Sequence, residues 1–147
     1  MITNYLKIRR ALVSLLKNKF PSIAVHLDNV DKSDAPYFYI EFTEKVRTLD
    51  RIYAERHFMV DVVYYPVEDE FGRVKRSELH SISEELDETI RPVLKVEDRF
   101  FTILDAEKSY VDEILHYIFY LDFVDAIEDI NNYELMQELE LNINKEE

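Results

Sequence analysis

Carboxylates and histidines are the residues of this sequence whose types could support catalysis or metal binding. Asp61 and Asp122 lie in the middle of long apolar segments, near Tyr39 and Tyr120, where a buried carboxylate pair of a nuclease or hydrolase could form. Such an enzyme would bind a divalent metal and lose activity in an Asp61→Asn variant that keeps its fold. Strand carboxylates on a mixed face are more often hydrogen-bonded or interfacial, so we rank this hypothesis below a structural role.

No other residue pattern in the sequence indicates a catalytic or metal-binding site. The chain has no cysteine, which excludes disulfides and thiol chemistry, and its single glycine excludes a glycine-rich phosphate loop. No serine lies in a nucleophile-elbow context. The four histidines lie in unrelated segments without metal-ligand spacing: His26, His57, His80 and His116. We therefore expect no catalytic residues, no metal site and no cofactor.

Length and charge narrow the class of protein. A chain of 147 residues with 47% hydrophobic content predicts one domain, residues 1–147. The net charge is −13, and it is uneven: residues 1–76 carry +2, whereas residues 77–147 carry −15. An acidic half of this kind repels nucleic acid and argues against a duplex-binding role. Charges interrupt the apolar positions of the N-terminal segment, and no apolar run is long enough to span a membrane, so we expect a soluble protein without a targeting segment.

A long β-hairpin over residues 37–65 would position most other elements. Its apolar and polar residues alternate with the period of two that is typical of antiparallel strands with one buried face. The buried set is Phe38, Ile40 and Phe42 in the first strand and Phe58, Val60 and Val62 in the second. The end of the hairpin, residues 43–57, is too polar to be buried in its own domain. We call it the arm and expect it to contact another chain.

Charge and apolarity together predict a register for the hairpin. A three-residue turn at residues 49–51 would place Phe42 opposite Phe58 and Ile40 opposite Val60. It would also pair Glu44 with Arg56 and Lys45 with Glu55, so that opposite charges meet. The candidate interaction residues of the arm are Glu44, Lys45, Arg47, Asp50, Arg51, Glu55 and Arg56.

Two helices are predicted from apolar residues at helical spacing. The first is capped by Thr3 and extends to about Phe20, with Tyr5, Ile8, Leu12, Leu15 and Leu16 on its apolar face. Its opposite face carries the basic stripe, formed by Lys7, Arg10, Ser14 and Lys17. A solvated face explains the stripe most simply, although an acidic partner could bind it. The second helix starts at Ser77, ends at Pro92 and buries Leu79, Ile82, Leu86 and Ile90.

Further strands are predicted at residues 23–27, 99–106 and 113–124. The last is apolar on both faces, which predicts a sheet covered on both sides, by a helix or by a neighbouring subunit. The fold class is α+β, a mostly antiparallel sheet with helices packed on it, in the order α-β-β-β-α-β-β plus a C-terminal segment. Within that acidic segment, Leu135, Met136, Leu139 and Leu141 predict a short amphipathic stretch that docks on another surface.

A chain of short blocks resembles the tail terminator proteins of tailed bacteriophages and phage-tail-like particles. The blocks are KNKFP, APYFYIEF, HFMVDVVYYP, LDETIRP, VDEILHYIFYLDF and LMQELELN, and they cover nearly the whole chain. Most characteristic are the second hairpin strand, which continues into Tyr64, Tyr65 and Pro66, and the ILHYIFY strand at residues 114–120.

The resemblance implies a structural role in the assembly of the virion. Members of the family form a ring, commonly a hexamer, that caps the head-proximal end of the tail tube, stops its polymerisation and docks the head or collar. The implied partners are further copies of the chain, the tail tube protein and a head-tail connector or collar protein, with DNA passing through the lumen without specific binding and no membrane involved. The implied location is the neck region of the virion tail, after assembly in the cytoplasm of the bacterial host, in a phage or in a prophage-derived particle. Alternatives are another neck protein of the same particle and the carboxylate-dependent metal enzyme.

Overall fold

Two helices and seven strands form the part of the chain that the computed structural model describes, residues 3–27 and 35–126. The α+β class and the predicted order are confirmed, and four strands follow the second helix where two were predicted. In chain order the elements are α1 (Tyr5–Lys19), β1 (Ala24–His26), β2 (Tyr37–Thr48), β3 (Tyr53–Tyr65), α2 (Arg76–Ile90), β4 (Val93–Val96), β5 (Arg99–Thr102), β6 (Ala106–Val111) and β7 (Ile114–Ala126). The predicted C-terminal amphipathic stretch lies outside the described residues.

Five of the strands form one sheet in the order β1-β2-β3-β7-β6. Strand β1 pairs with β2 in parallel, whereas the other three pairings are antiparallel. Strands β4 and β5 form a separate hairpin, and the predicted strand at residues 99–106 is divided between β5 and β6. The amide of Ile103 still donates to the carbonyl of Pro92 at 2.8 Å, in register with the β4–β5 hairpin, and the chain joins the main sheet only at Ala106, opposite Phe119 of β7.

The hydrophobic core lies on one face of the sheet. Helices α1 and α2 and the β4–β5 hairpin pack there against the inward side chains of β2, β3 and β7. The stripe predicted for α2 is buried, as are Ile8, Leu12 and Leu16 of α1. Within residues 3–27 and 35–126, no helix packs on the opposite face, which we call the open face. The second apolar set of β7 lies on this open face.

Two buried tyrosines link α2 to the sheet. The hydroxyl of Tyr64 donates to Glu78 at 3.0 Å, and that of Tyr117 donates to Asp87 at 2.7 Å. Burial raises the pKa of both hydroxyls, so both stay protonated donors. Arg91 donates two hydrogen bonds to Asp87, and these, with the bond from Tyr117, lower the pKa of that carboxyl to about 2.

The start of α1 differs from the prediction. Asn4, not Thr3, caps the helix, since its side chain accepts a hydrogen bond from the amide of Lys7 at 3.1 Å. Thr3 is instead fully buried, and its amide donates to the Asp125 carboxylate at 2.5 Å. Arg99 donates to the same carboxylate at 3.0 Å and stacks over Phe123. The chain before α1, the end of β7 and the start of β5 are therefore held together by one buried carboxylate.

The predicted hairpin register is wrong by two residues. Phe42 faces Val60 rather than Phe58, and Ile40 faces Val62 rather than Val60. The connection comprises residues 49–52, between Thr48 of β2 and Tyr53 of β3, so paired residue numbers sum to 102. A shift of two keeps every side chain on its predicted face, because the strand period is two. The alternation of apolar residues therefore could not distinguish the two registers.

Candidate interaction surface

Three strands, rather than the two of a free hairpin, form the arm. Strand β7 pairs with β3 along nearly all of its length, from Tyr64 opposite Leu115 to Tyr53 opposite Ala126. The second strand of the arm is consequently central, with backbone partners on both sides. Strand β2 is different, because β1 pairs only with its residues 37–39. Its residues 40–48 have no strand on their outer side within the described part of the chain.

The loop at the end of the arm is organised by Asp50. Its carboxylate accepts hydrogen bonds from the backbone amides of Tyr53 at 2.7 Å and Ile52 at 2.8 Å. These two bonds, the one from Tyr53 foremost, hold the pKa of Asp50 below its ordinary value. Asp50 therefore shapes the loop, and it leaves neighbouring Arg51 exposed at the tip. Both charged residues predicted for the turn are exposed, and the carboxylate of Asp50 is engaged by the two backbone amides.

The predicted charge pairs of the arm are half correct. Arg56 forms an ion pair with Glu44 at 2.7 Å, but diagonally, because Glu44 lies opposite Phe58. The pairing of Lys45 with Glu55 is wrong: Lys45 lies opposite His57, and Arg47 lies opposite Glu55. Glu55 approaches the His57 ring at 3.6 Å instead. The two-residue register shift explains both outcomes. It moves Glu55 away from Lys45, whereas the long side chain of Arg56 still reaches Glu44 across the diagonal.

Exposed apolar residues at the end of the arm were missed by the sequence interpretation. Val46, Leu49, Ile52 and Tyr53 are 51%, 47%, 36% and 44% exposed. A hairpin loop without a binding role is usually polar, so three apolar residues in the five-residue stretch LDRIY were a readable signal. The arm thus presents apolar area beside the cations Lys45, Arg47 and Arg51, a mixture that is typical of protein interfaces.

The open face of the sheet carries a second group of exposed side chains. Met59, Tyr120 and Val124 are 36%, 43% and 50% exposed and lie on adjacent strands. Beside them, His57 bonds to Asp122 at 2.6 Å and His116 bonds to Asp61 at 2.9 Å. The face is therefore apolar in its middle and carries two histidine–carboxylate pairs.

The suggested carboxylate pair of Asp61 and Asp122 does not form. Asp61 lies opposite Ile118 and Glu41 rather than opposite Tyr39, while Asp122 lies opposite His57, four residues from Asp61 along β3. That spacing separates the two positions by about 13 Å. In residues 3–27 and 35–126, no group of three or more His, Asp or Glu side chains could hold a metal ion. Each aspartate instead has its own histidine partner.

The basic stripe of α1 lies apart from the arm, beside β4. Lys7 pairs with Glu97 at 3.6 Å, whereas Arg10 and Lys17 are exposed. The structure therefore divides the candidate residues into two surfaces, one on the arm and one on α1.

Comparison with known proteins gives the family. The family model for phage tail terminator proteins matches residues 7–133. The chain belongs to the phage tail terminator family. The predicted resemblance is confirmed, and this terminator is a structural protein of a phage tail that assembles with other tail proteins.

The other comparisons add little to that result. No curated protein matches the sequence of the terminator. Several solved structures are similar, and one of them is 18% identical over 87% of the terminator and 99% of the other chain, with a TM-score of 0.46. None of the described helices is long and apolar enough to cross a membrane.

Proposed function

We propose that the terminator forms a homomeric ring, of six copies, that caps the head-proximal end of the tail tube. The ring stops polymerisation of the tube and offers its other side to the head-tail connector or collar. The observation that carries the proposal is that the sheet has two edges to which no strand of residues 3–27 and 35–126 pairs, since a cyclic ring needs two different complementary surfaces on each copy.

The two edges lie on opposite sides of the sheet. Residues 40–48 of β2 form one edge, and β6 forms the other, with residues 120–126 of β7 extending beyond it. Exposed edges present backbone donors and acceptors that pair readily with another strand. Head-to-tail contact between the β2 edge of one copy and the β6 side of the next would continue the sheet around a ring.

Charge supports the same orientation. The β2 edge lies beside the arm, with Lys45, Arg47 and Arg51, whereas the β6 side belongs to residues 77–126, which carry a net charge of −9. Exposed Glu107 on β6 and exposed Asp105 just before it are acidic groups of that side, whereas Glu84 of α2 is paired with Lys108 of β6 at 2.8 Å. Opposite potentials at the two edges would steer and orient association between copies. Acidic surface left uncovered in the ring would let DNA pass through the lumen without sticking.

The arm and the open face supply contacts beyond the ring itself. The arm extends past the part of the sheet that the helices cover, and its apolar tip fits a contact with a neighbouring copy or with the end of the tube. The open face, with Met59, Tyr120 and Val124, offers apolar area of the kind that a subunit interface buries.

Electron microscopy of particles made without the terminator tests the tail role. Loss of a terminator should leave tubes of uncontrolled length without heads, and normal tubes would overturn the proposal. Complementation with Arg47→Glu should fail to restore tube length, because the change reverses a charge of the arm. Arg73→Glu is the matched control, since Arg73 is exposed in the loop after β3, and it should restore normal particles.

Light scattering at low and high salt tests the ring. If charge orients the copies, ring formation should weaken towards 1 M salt, where the Debye length falls to about 3 Å. A purified chain that stays monomeric should still add to isolated tail tubes, because a tube end can template the ring. A monomer that adds to no tube at any salt concentration would contradict both the ring and the capping role.

A further inference from the structure

A groove runs along α1 between the helix and β4. Its floor is apolar, formed by Ala11 and Leu15, and three of the six other lining residues are basic. Lys95 on β4 lies across the groove from Arg10, with its ammonium 5.6 Å from the centre of the Phe100 ring. The remaining lining residues are Lys7, Ser14, Asn18 and Glu97. Glu97 is the acidic member, and its carboxylate is already paired with Lys7.

An apolar floor with cationic walls fits an acidic amphipathic helix. Helix-in-groove recognition uses apolar anchors at helical spacing, while charges along the rim set the orientation. The sequence of residues 127–147 has this character, with seven acidic residues against one lysine, a net charge of −6. Leu135, Met136 and Leu139 follow the i, i+1, i+4 spacing of one helical face, and Glu134 and Glu138 flank them.

The described chain ends close enough to the groove for residues 127–147 to reach it. Asp125 binds the amide of Thr3, so the end of β7 lies beside the start of α1. From Lys7 to Asn18 the groove extends about 16 Å along the helix axis. A ten-residue helix at residues 134–143 would be about 15 Å long. The seven residues 127–133 can span up to about 23 Å, which is enough to reach the groove from Ala126.

We propose that residues 127–147 dock into this groove of their own chain, with Leu135, Met136 and Leu139 on the Ala11–Leu15 floor and the acidic residues beside Arg10 and Lys95. A docked acidic segment would account for the arrangement of the groove. The basic stripe of α1 and Lys95 of the β4–β5 hairpin line the same groove, and the small side chain of Ser14 leaves room between them. The inference is independent of ring formation, since it concerns one copy.

Disulfide trapping in the full chain tests the docking, because the native sequence has no cysteine. Ser14→Cys would be combined with Met136→Cys or with Leu139→Cys and oxidised mildly. Ser81→Cys with the same partners is the matched control, since Ser81 is an exposed serine on α2. We expect a fast-migrating cross-linked monomer on a non-reducing gel with Ser14→Cys and not with Ser81→Cys.

Other outcomes of the trapping would overturn the proposal. A disulfide-linked dimer as the main product, formed also when the two single-cysteine variants are mixed, would mean that the segment occupies the groove of another copy. Equal monomer cross-linking with Ser14→Cys and Ser81→Cys, or none with either, would mean that the segment does not dock in the groove.

Charge reversal tests the role of the rim. Arg10→Glu with Lys95→Glu should slow trapping at residue 14 about fivefold at moderate salt, because two favourable exposed contacts become unfavourable. Arg73→Glu with Lys75→Glu reverses one arginine and one lysine away from the groove and should leave the rate unchanged. An equal rate in the two double variants would overturn the charge pairing.

Discussion

The same three strands, β2, β3 and β7, pass through two regions that are stabilised in different ways. At the base, α1 and α2 cover the sheet, and Phe38, Val62 and Tyr117 have no exposed surface. Along the arm, side chains are mostly exposed, and the strands are held by backbone pairing, the Asp50 loop and the Glu44–Arg56 ion pair.

The difference separates residues that stabilise the fold from residues that could contact other chains. Side chains at the base are buried and closely packed, so their replacement should lower the free energy of unfolding. Most side chains of the arm are exposed and should contribute little to stability. The exception is the carboxylate of Asp125, which is 7% exposed and fixes the end of β7 beside Ala54. Variants of the two regions should therefore separate unfolding from assembly.

The largest effect is expected for Phe58→Ala, at the boundary between the base and the arm. Phe58 is 1% exposed and stacks on Phe123 at 5.8 Å. The cavity should lower the free energy of unfolding by about 3–5 kcal/mol, measured by urea denaturation. Met59→Ala, on the open face, is the control and should cost less than about 1 kcal/mol. Equal losses in both variants would mean that the two faces are not packed differently.

Asp125→Ala should give the next largest effect. The change leaves the Thr3 amide and the half-buried Arg99 without their shared acceptor, so we expect a loss of about 2 kcal/mol. Asp122→Ala is the control, because Asp122 is an exposed carboxylate of the same strand that bonds to His57. If Asp125→Ala unfolded no more easily than Asp122→Ala, the buried tie at the end of β7 would not stabilise the arm.

A pH dependence is expected at the base from Asp87. Its pKa is lowered to about 2, chiefly by Arg91, from an ordinary value of 3.8. A lowered pKa in the folded state adds stability that is present above about pH 4 and is lost as the pH falls towards 2. Asp87→Asn should therefore cost about 1 kcal/mol at pH 6, after screening by solvent, and the difference from wild type should shrink on acidification. A difference that stays constant from pH 6 to 2.5 in thermal melts would contradict this assignment.

The smallest effect on stability is expected for Arg51→Ala. Arg51 is exposed in the loop, so the melting temperature should match that of wild type within about 1 °C. Assembly onto the tail tube should nevertheless weaken, because the cation lies at the tip of the arm. Arg73→Ala, another exposed loop arginine, should assemble normally. Tubes of normal length with Arg51→Ala would count against the arm as a docking element.

Much of the fold could be read from local pattern. The two strands of the hairpin, the buried stripe of α2 and the face of each inward side chain follow from periods of 2 and 3.6 residues, which the sequence carries directly. The candidate surface was partly readable too, because the charges of the arm are local. A strand of four residues gives too few alternations, so β4 was missed, and β5 was predicted only as part of one strand with β6.

Contacts between residues distant in sequence could not be predicted from local patterns, and these contacts determine the arrangement of the arm and of the open face. The pairing of β7 with the whole of β3 makes the arm three-stranded, and it gives Asp61 and Asp122 separate histidine partners from elements distant in sequence. The carboxylate of Asp125 meets a residue 122 positions away.

The sequence by itself determined the composition class, the faces of the elements and the resemblance to tail terminators, because periodicity and residue type act over a few neighbouring residues. Only the tertiary structure decided the hairpin register, since registers two residues apart bury the same side chains and differ in how the loop and the third strand fit. It also decided which charges remain exposed, because an ion pair depends on geometry that the order of residues does not specify.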